Sequence, residues 1–506
     1  LDIQGFSGSA ITDYNTGLTN TIIGVNAKAT QRPSINITED STTIVGILAR
    51  ARGIYYWETN EKRYIVNDDN VFESSQSNIP IAPISGTFSS GTERCTILET
   101  VSLGDNRLVI LDAENNKGWQ MDAALNLNQI ASNFPSTLAH GGAILDGYLF
   151  VMDEDGVIYN SAVNDPTIFP ATGFITAERE SDKGVYLAKH HDHLVAFGTR
   201  TIEFFYDASN TVGSPLNRRQ DVAYTYGCAS GLSVWEDNDI VYFLGTDSSG
   251  QLGVWKLENF QISPISTDAI NSYLSKGLTQ TGLVVRFEGL SAMGHRTLIV
   301  TIYTLTGEAP GEIFPKITLS FDSLTGLWGF WQTTLNSNTT FPLVDWTKRT
   351  GGQNETDAAR TGEGLLFSGD IIELNDDFIP IDTVLGTAIY EAGIYEVDIY
   401  SVSSDVGTNI SSIIRFGLTD GGASVYKFQN RETVVMENTA FSQTLTIRHS
   451  DESSSDFGVG NIIDTALTRK EIYQGGRFMK RNYQTEYAGD EQFFIESLDV
   501  DLSVGF

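Results

Sequence analysis

The densest cluster of potential metal ligands in the chain is His190-His191-Asp192-His193. Imidazoles beside a carboxylate suit zinc or iron. The cluster runs straight into an apolar stretch, His193–Phe197, that reads as a strand. Strand alternation then predicts His191 and His193 on one face, with His190 and Asp192 on the other. The remaining histidines, His140, His295 and His449, are scattered and complete no ligand set. The cluster is therefore read as a polar turn feeding a buried strand, and no metal site is expected.

A second candidate is Ser320-Phe321-Asp322-Ser323-Leu324-Thr325-Gly326-Leu327-Trp328. It approximates the Asp-box of sialidase-like propellers, Ser-x-Asp-x-Gly-x-Thr-Trp, with the glycine two places late. Such a box stabilises a turn: the Asp accepts backbone N–H groups and the Trp packs between blades. It carries no catalytic group. Glycoside hydrolysis needs two carboxylates roughly 5–10 Å apart, which a chain with 64 Asp and Glu provides by chance. There is no Gly-x-Ser-x-Gly elbow, phosphate loop or His-Glu-x-x-His. No catalytic residue and no cofactor are predicted. The two cysteines, Cys95 and Cys228, show no metal-binding spacing and read as buried free thiols.

The elements around these residues are short apolar or alternating runs broken by Gly, Asn, Asp and Ser, the pattern of strands and turns. Arg107–Asp112, Tyr148–Met152, His193–Phe197, Ile240–Leu244 and Thr297–Tyr303 are the clearest. Helical periodicity is confined to Asp268–Leu274, capped by Ser266 or Thr267, and more weakly to Ala123–Ser132. A unit recurs: an Asp, Asn or His turn, then an apolar strand with an aromatic near its end. Copies begin near Gly104, Asp146, His191, Asp237 and Gly294, with a sixth at Ala359–Phe367. The first four lie roughly 40–47 residues apart, the length of a four-stranded propeller blade. The fold class predicted is mainly β: an irregular propeller of about six blades with an additional β-rich C-terminal module.

The 506 residues are 41% hydrophobic and rich in aromatics, with 27 Phe, 20 Tyr and 7 Trp, so a large core is available. No run of about 20 apolar residues occurs, so no helical membrane span is expected. The net charge of −32 is the opposite of what phosphate binding needs. It fits either ordinary solubility or a surface that DNA passes without sticking. Charge is also segregated. Residues 361–414 hold ten Asp and Glu and neither Lys nor Arg. Within them Glu363, Asp370, Glu373, Asp376, Asp377 and Asp382 are candidates for an acidic channel lining. Arg469, Lys470, Arg477, Lys480 and Arg481 form a basic cluster that suits a subunit contact, although a charge run is usually a solvated face. The predicted organisation is 1–90 as an N-terminal β segment contributing a docking platform and the first blade. Residues 91–365 follow as the propeller core, and 366–506 as a module closing the propeller or making subunit contacts.

The stretch Val185–Leu274 is the most distinctive. It contains Phe197-Gly198-Thr199-Arg200-Thr201-Ile202-Glu203-Phe204-Phe205-Tyr206, then Asn210-Thr211-Val212-Gly213-Ser214-Pro215-Leu216 followed by Arg218. Gly227-Cys228-Ala229-Ser230, Phe243-Leu244-Gly245 and Ile265-Ser266-Thr267 come next. With Asn164-Asp165-Pro166 upstream, this resembles the packaged-DNA stabilisation family, the tail nozzle proteins of short-tailed phages. The resemblance implies a structural virion protein assembled in the host cytoplasm. It would be one of six subunits in a ring below the portal and adaptor, extending the DNA channel. That ring would retain packaged DNA, release it on ejection, and meet the adaptor ring, tail fibres or spikes, and a needle or plug. Duplex DNA would pass without sequence-specific binding. The rival readings are a propeller adhesin for a host receptor and a tail-associated glycosidase.

Overall fold

The computed structural model describes strands between residues 22 and 37, then 51–304 nearly throughout, and 317–331. Beyond these it describes the strands at 343–348, 363–367 and 393–398, and residues 404–504, short interruptions aside. Among the described residues, seven small sheets stand around an axis, antiparallel except where His140–Gly141 pairs parallel with Gly184–His190. Their inner strands are Ala51–Trp57, Thr96–Ser102, Ala143–Leu145, Gly184–His190, Val234–Asp237, Leu283–Ala292 and Leu343–Lys348, which define blades 1 to 7. Each inner strand neighbours the next, and that of blade 7 lies against those of blades 6 and 1, so the ring is closed. Closure is non-local. The outer strand of blade 7 is Ser34–Ile37, from the opposite end of the chain, paired antiparallel with Gly393–Asp398.

Every blade has a second strand of this kind, and the repeat predicted from sequence marks those of blades 2 to 7. These strands begin at Lys62, Asp105, Tyr148, His193, Ile240, His295 and Glu363. The seventh, Lys62–Asn67, precedes the first copy read from sequence.

Why these strands are so uniformly apolar follows from blade stacking, because both faces of a blade are covered. In blade 2, Leu108 and Ile110 join the core shared with Trp57, Tyr64 and Val66 of blade 1. Val109 and Leu111 point the other way and pack on Leu149 and Val151 of blade 3. The same division recurs around the ring. Phe150 and Met152 meet Leu194 and Ala196, while Val195 and Phe197 meet Val241 and Phe243. Full burial of such side chains contributes about 1.5–3 kcal/mol each.

Asp residues close the turns after several of these strands. Asp153 Oδ1 accepts from the N–H groups of Asp155 and Val157, both at 2.9 Å, and Asp247 Oδ1 does the same for Ser249 and Gln251. The helical turn predicted near Asp268 is present, with Ile270 and Leu274 fully buried between blades 5 and 6. The weaker helix at Ala123–Ser132 is not formed. Asp122 accepts from Ala124 and Asn126 N–H, Leu125 takes a left-handed φ of 68°, and Leu127–Gln129 becomes the outer strand of blade 2.

Strands between residues 412 and 504, joined by the hairpin at 22–31, build a two-layer sandwich. One sheet orders Ser412–Thr419, Arg481–Tyr487, Thr444–Asp451 and Asn461–Asp464. The other runs from the hairpin Ile22–Val25/Lys28–Gln31 through Ile495–Val504 and Lys427–Met436 to Glu471–Phe478 at its edge. Ile414, Ile447, Tyr483, Tyr487, Ile495 and Leu498 fill the interior, and Leu327 of blade 6 packs against it.

Candidate functional site: the propeller axis and the sandwich face

Six inner strands or the segments beside them leave a cavity of about 620 Å³ on the propeller axis. Its polar groups join neighbouring blades. Arg94, entering blade 2, forms an ion pair with Glu288 of blade 6 and donates to Val234 O of blade 5 at 3.0 Å and Phe287 O at 3.1 Å. Tyr186 of blade 4 donates to Glu236 Oε1 of blade 5 at 3.0 Å, and Lys189 N donates to Oε2 at 3.1 Å. Glu99 of blade 2 accepts from Trp57 Nε1 at 3.1 Å and Tyr55 Oη at 3.3 Å, both of blade 1.

These contacts shift protonation equilibria. Water reaches Glu236, yet protein surrounds it across the cavity, and desolvation pushes its carboxyl up to about 7. Burial, then the Glu236 charge, raises the Tyr186 phenol well above its ordinary value. Tyr55 rises to about 12 by burial and by Glu99. Glu93 is held low, chiefly by its hydrogen bond to His140. The arrangement therefore works as an inter-blade joint holding one exchangeable proton near neutrality.

The histidine cluster sits in the turn between the first two strands of blade 4. Here the expected facing is corrected. His191 adopts φ 53°, the turn holds only His191 and Asp192, and His190 becomes the cross-strand partner of His193. Cross-strand partners share a face, and both rings pack edge-on against Phe260. Phe260 N donates to His190 Nε2 at 3.1 Å, and burial lowers the His190 pKa to about 4. Among the described residues no group of His, Cys, Asp or Glu is placed to hold a metal. Cys95 and Cys228 are both buried, and burial pushes the Cys228 thiol up to about 12.

The box-like motif forms the turn between the last two strands of blade 6. Asp322 accepts from Leu324 N at 3.0 Å and Thr325 Oγ1 at 2.7 Å, with His295 Nδ1 2.8 Å away. Trp328 Nε1 donates across the blade boundary to Ile265 O at 2.9 Å.

Of the acidic candidates, Glu363 opens the second strand of blade 7. Asp370, Glu373, Asp376, Asp377 and Asp382 lie outside the described residues, as does Arg469 of the basic cluster. The other four basic residues divide. Lys470 is buried and donates to Asn438 Oδ1 at 2.6 Å and Leu467 O at 2.5 Å. Arg481 is buried, and two of its nitrogens lie 2.6 and 2.9 Å from the Asp451 carboxylate oxygens. Arg477 and Lys480 are exposed. Arg431, Phe428 and Tyr473, exposed on the same sheet as Arg477, are absent from the sequence-based set; alternation in Lys427–Glu432 was the available signal.

A family model described as phage stabilisation, bacteriophage P22 Gp10, beta-propeller, matches residues 20–307. A search of curated proteins finds no match. Among solved structures, virginiamycin B lyase from Staphylococcus aureus aligns with TM-score 0.38 and 8% identity, over 66% of this chain and 94% of the lyase. The N-terminal domain of Nup159 aligns with TM-score 0.38 and 7% identity, over 69% and 95%. BamB from Moraxella catarrhalis gives 0.32 and 11%, over 62% and 96%.

Proposed function

The chain belongs to the phage stabilisation family, that of the bacteriophage P22 Gp10 β-propeller, and on that premise we propose that it is one subunit of a six-membered tail nozzle. It is a structural protein of the virion. The ring extends the portal and adaptor channel, retains packaged DNA and lets it pass on ejection. The observation that carries this reading is the family match, which spans blades 1 to 5 and enters blade 6.

Physical features agree with it. The axial cavity has the volume of a small-molecule pocket, roughly 300–1,000 Å³, and its polar groups lock blades together. A duplex therefore runs between subunits, past their outer surfaces, and not along a propeller axis. A chain of net charge −32 offers that duplex little to bind. The acidic block at 363–382 is proposed to face the channel. The propeller serves as the rigid body of each subunit, with the N- and C-terminal β segments making ring, adaptor and fibre or needle contacts.

The test is an electron-microscopy reconstruction of the native particle with no symmetry imposed. A sixfold ring coaxial with the DNA is the expected result. Peripheral, off-axis copies would overturn the reading and favour the adhesin or glycosidase alternatives.

A further inference from the structure

Phe260 holds a backbone conformation that its side chain resists. It is the second of two residues in the turn between Leu252–Glu258 and Gln261–Pro264, the last two strands of blade 5, with Glu258 opposite Gln261. Asn259 takes φ 50° and Phe260 φ 59°. A two-residue hairpin turn of this kind wants left-handed residues, and glycine suits the second place. A bulky side chain there is sterically costly, so contacts outside the turn must hold it.

Those contacts come from blade 4. Phe260 N donates to His190 Nε2 at 3.1 Å, and Phe260 O accepts from Tyr224 Oη at 2.6 Å. The Phe260 ring lies edge-on to His190 and His193, each centroid 4.9 Å away, and to Phe204 at 5.7 Å. The Arg219 guanidinium stands over it, 4.5 Å from the centroid. A ring nitrogen that accepts a hydrogen bond carries no proton, so His190 is neutral while this contact is made. His190 is fully buried. A proton on its Nε2 would remove the acceptor and leave a cation without water.

The charges around the turn act on both sides. Burial, then His191, opposes a charge on His190, and so does His193; the Asp239 backbone carbonyl and carboxylate, from blade 5, favour it. His193 is held low by burial, then by Arg219 and His191, against Asp192 and Asp221. Arg219 is paired with Asp221 at 3.0 and 3.2 Å, and Asp239 Oδ1 accepts from His191 N at 3.0 Å.

We propose that the Phe260 turn is an acid-sensitive latch: neutral His190 grips this corner of blade 5 against blade 4, and protonation of His190 lets it go. The open turn wets His190 and so binds the proton more tightly than the closed one. Closure is therefore complete above the ordinary histidine value of 6.5 and weakens as pH falls from there to about 4. Ionisation of Glu236 works in the opposite direction and cannot produce this loss. The latch is independent of the ring reading.

The experiment is amide hydrogen exchange of the full chain, read by mass spectrometry as protection relative to intrinsic exchange. Peptides covering 258–263 and 188–194 are expected to lose protection about tenfold or more between pH 7.5 and pH 5, ahead of the rest of the propeller. His190→Gln keeps a side-chain acceptor without the titration and should abolish that dependence. Phe260→Gly removes the ring and relieves the turn, and protection at 188–194 should then no longer follow pH. Wild-type protection that is constant over this range overturns the latch. A pH dependence that survives in both variants overturns it too, as does loss of protection across the whole propeller at the same pH.

Discussion

Arg52 and Asp112 meet at 2.6 Å with both side chains wholly withdrawn from water, Arg52 on the inner strand of blade 1 and Asp112 at the end of the second strand of blade 2. Arg52 also donates to Glu93 O at 2.8 Å and Ser89 O at 3.0 Å, on the connection between the two blades. Removing one partner strands the other charge in a dry site. Arg52→Met is predicted to cost about 3–5 kcal/mol, read by urea denaturation. Arg52→Met with Asp112→Leu is expected to recover part of that loss. Recovery stays incomplete because Asp112 also accepts from Asn115 N at 3.2 Å and Nδ2 at 2.9 Å. A single variant as stable as wild type would show that the pair does not hold blades 1 and 2 together.

Gly289, on the inner strand of blade 6, has the Trp235 ring of blade 5 in the space a side chain would occupy. A Cβ placed there would lie 1.7 Å from Trp235 Cζ2. The Trp235 ring is stacked on Tyr242 and mostly buried, so it has little room to yield. Gly289→Ala is predicted to destabilise by about 1–3 kcal/mol through overpacking. Displacement of Trp235 should appear as a red-shifted tryptophan emission in the folded state. Unchanged emission and stability would contradict the close approach.

Glu236 makes the axial joint sensitive to pH. Its carboxyl has a folded pKa of about 7 against an ordinary value of 4.5. The folded chain therefore binds the proton more tightly than the unfolded chain, and the sign follows from linkage. Below 4.5 both states are protonated and the group is neutral in its effect. As pH rises from 4.5 through 7, ionisation in the cavity progressively destabilises the fold, and above 7 the penalty is constant. Water in the cavity screens part of it. Glu236→Gln should flatten the decline in melting temperature between pH 5 and 8 relative to wild type. Parallel profiles would place the proton elsewhere.

The second strands were readable because a blade covered on both faces needs an unbroken apolar run, and Leu108–Leu111 or Leu149–Met152 can serve little else. Lys62–Asn67 escaped because Lys62 and Arg63 open it with charge, although Arg63, Tyr64, Ile65 and Val66 are buried. The count of blades also depends on Ser34–Ile37 pairing with Gly393–Asp398, a contact that no local pattern announces. The axial joint was hidden for the same reason: Arg94 and Glu288 stand 194 residues apart. The histidine cluster misled through its local geometry. Alternation holds along a strand but not through a tight turn, where His190 and His193 become partners.

The basic cluster separates into residues that hold the sandwich together and residues that face outward, and charge reversal distinguishes them. Arg481 lies inside, bridging Asp451 with two nitrogens and reaching Gln429 Oε1 at 3.0 Å, with Phe478 beneath its guanidinium. Tyr483 Oη donates to the same Gln429 oxygen at 2.9 Å, so the arginine anchors a polar network between the two sheets. Arg481→Glu places a carboxylate beside Asp451 and removes the guanidinium donors to Asp451 and Gln429. A loss of about 3 kcal/mol or more is predicted, with the sandwich melting ahead of the propeller. Lys480, one residue earlier, is exposed, and Lys480→Glu should change stability by no more than about 0.5 kcal/mol. Circular dichroism melting of the two single variants makes the comparison. Equal effects would mean that the two side chains share one environment, contrary to the burial of Arg481.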